Sequence, residues 1–60
     1  MMKLLTIEEV AERTRLPVAT LRFYRTRGDR GPKSARIGSR VMYREADVEA
    51  WIERQFTQAD

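Results

Sequence analysis

The sequence predicts a mainly α domain with one small β-hairpin, its elements running helix, turn, helix, hairpin, helix (α-turn-α-β-β-α). Three observations carry that prediction. A capping signal at Thr6 opens a stretch of apolar residues at helical spacing; a proline and a glycine bracket Pro17 to Gly28; and two β-prone pieces flank Gly38-Ser39 ahead of a last helical stripe. Sixty residues hold one domain, expected over 1–60 with an ordered core at about 5–56.

The first helix follows from Thr6-Ile7-Glu8-Glu9. The Thr hydroxyl can take the amide three residues on, while Glu9 reaches back to the Thr6 amide. Ile7, Val10, Ala11 and Thr14 then recur at helical spacing, so a helix from about Ile7 to Arg15 is expected, with Glu8, Glu12 and Arg13 outward. Leu16-Pro17 ends it, because the residue before proline is biased out of the helical region.

Pro17 to Gly28 reads as the second helix, with Pro17 in the first turn and Gly28 at the left-handed position past the end. At ~100° per residue, Val18, Leu21, Tyr24 and Arg25 share a side suited to packing, and Ala19, Arg22, Phe23 and Thr26 share the other. The second side is small, cationic, aromatic and hydroxylic. Arginine can fork onto guanine, and Ala, Thr or Phe can meet a thymine methyl. Two short helices joined by a tight turn fit the helix-turn-helix pattern, whose second helix enters the major groove. A plain amphipathic helix with a solvated basic face gives the same periodicity.

Asp29 to Ala35 has turn residues and no period, and is expected as a loop. Arg36 to Tyr43 is expected as a hairpin about Gly38-Ser39, with Ile37, Val41 and Tyr43 toward the helices and Arg36, Ser39, Arg40 and Met42 toward the tip and outer face. Such a hairpin beside a recognition helix is a wing. The third helix, from about Glu45 to Phe56, places Val48, Trp51, Ile52 and Gln55 or Phe56 on one stripe, with Glu45 and Asp47 complementing its dipole. Trp51 is expected in the core as its largest piece of buried area, on its spacing to Val48 and Ile52, with an anchor for a partner as the alternative. Glu49, Glu53 and Asp60 form the outer acidic face.

Composition excludes much chemistry. With no Cys and no His, disulfides, thiolate nucleophiles and the usual zinc ligands are absent, so neither metal nor cofactor is expected. A chain this short buries only ~60% of its unfolded surface, which leaves little depth for a catalytic pocket; Glu8, Glu9 and Glu12 are accounted for by a capped, solvated helix face. No enzyme is expected. No apolar run approaches the ~20 residues of a membrane span, and the N-terminus lacks an apolar signal core, so a cytoplasmic protein without a membrane partner is expected.

Charge points to the partner. Residues 13–44 carry ten basic side chains against Asp29 alone, a charge of +9, between ends of −2 and −4. A cationic middle between anionic ends suits one-faced binding of a polyanion. The candidate DNA-contact set is Pro17, Val18, Ala19, Thr20, Arg22, Phe23, Arg25 and Thr26 with Arg36, Ser39 and Arg40. A protein-interaction module anchored by Phe23 and Tyr24 is the alternative of a different class.

In Thr6-Ile7-Glu8-Glu9-Val10-Ala11, Leu16 to Tyr24, Gly28, Gly38 with Tyr43, and Asp47-Val48-Glu49-Ala50-Trp51, the chain resembles the excisionase and MerR-type winged helix-turn-helix family. The resemblance runs from Leu5 to Ile52. It implies that Arg22 meets a phosphate or a base in the major groove and that a wing arginine enters or borders the minor groove. Two departures stand out: Asp29-Arg30-Gly31 follows Gly28 where members continue with apolar residues before a proline, and Phe23 has no hydroxyl. MerR-type regulators add a long dimerisation helix, and a chain ending at Asp60 is expected as the minimal domain, similar to phage excisionases, also called recombination directionality factors. The arginine-rich composition is similar to that of mycobacteriophage members. The resemblance implies cooperative binding and bending of attachment-site DNA in a head-to-tail array of copies, with a phage integrase as partner and no small-molecule effector. The acidic third helix of one copy and the basic loop of the next are the expected neighbour contact. A small MerR-like transcriptional regulator is the alternative.

Overall fold

The computed structural model describes residues 2–57. Its elements are β1 (Leu4–Thr6), α1 (Ile7–Thr14), α2 (Val18–Arg27), β2 (Ser34–Ile37), β3 (Arg40–Arg44) and α3 (Glu45–Thr57). The strands form an antiparallel sheet in the order β1-β3-β2. Three helices with such a sheet are the architecture of a winged helix-turn-helix domain, as the sequence predicts, with one strand more at the N-terminus. Asp60, expected on the acidic face, lies outside the described residues. No helix among the described residues is long and apolar enough to cross a membrane.

The capping box at Thr6 forms in full: the Glu9 amide donates to Thr6 Oγ1 at 3.2 Å and the Thr6 amide donates to Glu9 Oε1 at 2.8 Å. α1 stops one residue earlier than expected, because Arg15 turns left-handed at φ 64°. The Thr14 hydroxyl ties off that end, donating to the Val10 carbonyl at 2.8 Å and accepting from the Leu16 amide at 3.4 Å. Pro17 is not the first helical residue. It is the N-cap of α2, extended at ψ 147°, and its carbonyl accepts from the amides of Thr20 and Leu21. An extended Pro17 is what swings α2 away from α1 within a turn of three residues. At the other end Gly28 takes φ 80°, with its amide donating to the Tyr24 carbonyl at 2.9 Å, as its position predicts.

The hairpin is longer than expected, since Ser34 and Ala35 join β2 opposite Tyr43 and Met42. Gly38-Ser39 forms the two-residue loop, with Gly38 at φ 64°, the positive first position that a Gly-initiated hairpin turn requires. That loop makes Ile37 and Arg40 direct partners. Successive residues alternate faces, so Ile37 lies on the face away from Val41 and Tyr43 and is 52% exposed. The expectation that Ile37 faces the helices is thereby corrected, and Arg36, opposite Val41, takes the helix-side face instead.

The strand unread in the sequence, β1, pairs Leu5 with Tyr43. These two lie on the inner face, and Val10, Leu21 and Val48 descend on them, one from each helix. Each of the five is at most 1% exposed, and each burial of this kind stabilises the fold by ~1.5–3 kcal/mol. Trp51 is only half-buried and is not the centre of the core; it packs beside Tyr24, their ring centroids 6.5 Å apart. The last turn of α3 runs past the core, which leaves Gln55 and Phe56 exposed rather than on the buried stripe.

The Tyr43 hydroxyl is buried without a hydrogen-bond partner. Burial pushes its pKa above the ordinary 10.0, while the nearby Arg25 guanidinium and Ser34 hydroxyl act in the opposite direction, the latter without reaching hydrogen-bond geometry. A raised folded-state pKa gives stability that is complete below the unfolded value and declines as pH rises past ~10 toward the folded value. Tyr43→Phe therefore is expected to keep or raise the urea midpoint at neutral pH, by up to ~1 kcal/mol in stability, since an unsatisfied group is removed. It is also expected to flatten the loss of stability above pH ~10 relative to the parent. A drop of more than ~1 kcal/mol at neutral pH would mean that the hydroxyl has a partner after all.

Candidate nucleic-acid interface

α2 divides as its periodicity predicts. Leu21 is buried and Val18, Thr20 and Tyr24 are half-buried, whereas Ala19, Arg22, Phe23 and Thr26 are exposed, with Arg25 exposed at the edge of the packing side. Thr26 spends its hydroxyl proton on the Arg22 carbonyl at 3.0 Å, leaving its methyl and lone pairs outward. The Arg27 guanidinium lies 5.9 Å from the centre of the Phe23 ring and donates twice to Asp29, each at 3.3 Å. The exposed ring therefore has a cation against it, and that cation is tethered by Asp29, one of the residues that depart from the family pattern.

Between α2, the N-terminus of α1 and the wing runs an open trough of about 400 Å³. Arg22, Arg25 and Thr26 line one wall, Arg40 and Val41 the wing side, and Thr6, Ile7 and Glu8 the far end. Four of the candidate contact residues thus converge from two elements, with Arg40 lying 14 or more residues beyond the other three in sequence. Pro17, Val18, Ala19, Thr20, Phe23, Arg36 and Ser39 lie outside the trough; of these Pro17, Ala19, Phe23, Arg36 and Ser39 are exposed. Sequence reasoning missed Thr6, Ile7 and Glu8. The capping box marked them as a helix start, but only the folded chain brings that start beside Arg22 and Arg40.

Ion pairing sorts the cations. Arg13 bridges Glu45 at 2.7 Å and lies 3.9 Å from Glu49, Arg44 bridges Asp47 at 2.7 Å, and Arg27 holds Asp29. That leaves seven of the ten basic residues in 13–44 without an acidic partner within 4.0 Å among the described residues, including all four candidate arginines: Arg22, Arg25, Arg36 and Arg40. The same pairs occupy three acids of α3. Glu53 is the described acid of that helix still unpaired, so the acidic face expected for neighbour contacts is narrower than the sequence implied.

Two helices joined by a three-residue turn, the second exposed beside a basic hairpin, define a helix-turn-helix DNA-binding module. The chain belongs to the helix-turn-helix domain family, whose sequence model matches residues 4–56, and that family includes excisionase-like proteins. No curated protein and no solved structure matches the chain. DNA is the partner that the family implies.

Proposed function

We propose that this protein is a phage excisionase, an architectural protein that binds attachment-site DNA cooperatively, bends it and directs an integrase toward excision of the prophage. The observation that carries the reading is the trough, where Arg22, Arg25 and Thr26 of α2 meet Arg40 of the wing. α2 enters the major groove with Ala19, Arg22, Phe23 and Thr26 toward the bases, Pro17, Val18 and Thr20 sit at its entering end, and Arg36, Ser39 and Arg40 border the adjacent minor groove. Copies on neighbouring sites stand head to tail, a heterologous contact that need not close into a ring. Bending ~20–30 bp costs of order 1–6 kcal/mol, which phosphate contacts and neighbour contacts must offset.

The test is a gel-shift titration on DNA flanking the phage attachment core, at two salt concentrations, with circularly permuted probes. A ladder of cooperative shifts with position-dependent mobility is expected. With about six cations on phosphates, log K against log[salt] should fall with a slope near −5. One shift without bending would instead indicate a small MerR-like transcriptional regulator, and a slope near zero would reject the phosphate assignment.

A further inference from the structure

A second cleft of about 410 Å³ opens between α2, α3 and the loop that follows Gly28. Tyr24 and Trp51 line it, their rings tilted 54° to one another, and Arg30 and Arg54 stand at its sides. Asp29 also lines the cleft, but its carboxylate is held by Arg27, and neither Arg30 nor Arg54 has an acidic partner within 4.0 Å among the described residues. The loop is shaped to the aromatic wall: Gly31 sits at φ 80°, and a Cβ there would lie 2.9 Å from Tyr24 Cδ2. The cleft continues past Arg30 and Gly31 into a neighbouring groove of about 420 Å³ that reaches Lys33 and Ser34, the first residue of the edge strand β2.

We infer that this cleft is a docking site for an acidic, partly apolar peptide segment of another protein, separate from the DNA trough. Two unpaired guanidiniums call for carboxylates, which they can bind bidentately. Half-buried Tyr24 and Trp51 call for an apolar or aromatic side chain, since aromatic rings lining a pocket are common anchors of an interface. The mixed lining selects among anions: two guanidiniums beside two aromatic rings match a chain that presents carboxylates next to apolar side chains, and an extended peptide can do so while following the groove toward β2. The inference does not depend on the excision reading: the cleft between Tyr24, Trp51, Arg30 and Arg54 uses none of the residues assigned to DNA, and only the groove beyond it shares a residue, Arg25, with the trough.

Trp51 is the chain's single tryptophan, so its fluorescence reports on the cleft directly. The full chain is titrated with a short blocked peptide of alternating glutamate and leucine, with its lysine–leucine counterpart as control, in the absence and presence of a saturating duplex. The acidic peptide is expected to shift Trp51 emission with submillimolar half-saturation, with or without DNA, and the lysine peptide to leave it unchanged. Arg30→Gln with Arg54→Gln should weaken peptide binding at least tenfold while leaving duplex affinity within about threefold. The inference is overturned if the acidic peptide gives no shift or the lysine peptide binds equally. It is also overturned if the duplex alone shifts Trp51 and expels the peptide, which would make the cleft part of the DNA track. It is overturned, too, if concentrating the protein alone shifts Trp51 emission, which would put a second copy in the cleft.

Discussion

Leu21→Ala is expected to unfold a large fraction of the protein near 37 °C. Leu21 is 1% exposed and is the contribution of α2 to a core in which α1, α3, β1 and β3 supply one residue each. Truncating a buried leucine costs 2–5 kcal/mol, through lost transfer energy and the cavity left behind. A domain of sixty residues has only ~3–9 kcal/mol of stability in all. Thermal denaturation followed by circular dichroism checks this; a fall in midpoint of under about 5 °C would mean that neighbouring side chains refill the site. Ile37→Ala, on the exposed outer face, is the contrasting case and should shift the midpoint little.

Arg22→Ala is expected to weaken DNA binding without unfolding the chain. Arg22 is exposed, has no acidic partner and lines the trough with Arg25 and Arg40. A guanidinium that forks onto a base contributes ~1–3 kcal/mol of discrimination, so the loss at the cognate site should be about 5–150-fold and should relax sequence preference there. A guanidinium that serves phosphate alone would weaken all sequences alike and reduce the salt slope by about 1. Arg36→Ala, outside the trough, should do less than Arg40→Ala. Equal losses at the two positions would remove the trough as the centre of the interface.

Most of the fold was legible because its signals are local. Thr6 with Glu9, Gly28 past the end of α2, and Gly38-Ser39 between two β-prone pieces each determine backbone geometry within a few residues. What escaped was tertiary. β1 is three residues, too short to show a period, and it exists because Leu5 can pair with Tyr43 across most of the chain. Trp51 has the spacing of a core residue, but a helix stripe gives only direction, not depth, and the buried centre is made by Leu5, Val10, Leu21, Tyr43 and Val48. The position of Ile37 was an available inference: a two-residue loop forces its flanking residues onto one face, so Ile37 had to share the face of Arg40. The candidate site was half legible. Periodicity sorted α2 into its two faces, while the meeting of Arg22, Arg40 and the start of α1 depends on how the wing folds back.

The tie between Leu5 and Tyr43 also governs when a growing chain becomes competent. A nascent polypeptide that has released only α1 and α2 lacks Tyr43 and Val48, and its first strand has no partner, because β3 is the central strand of the sheet. The amide of Glu45 closes the arrangement by donating to the Lys3 carbonyl at 2.9 Å. The core therefore cannot close until β3 and the first turn of α3 are present, since Tyr43 and Val48 supply two of its five buried residues.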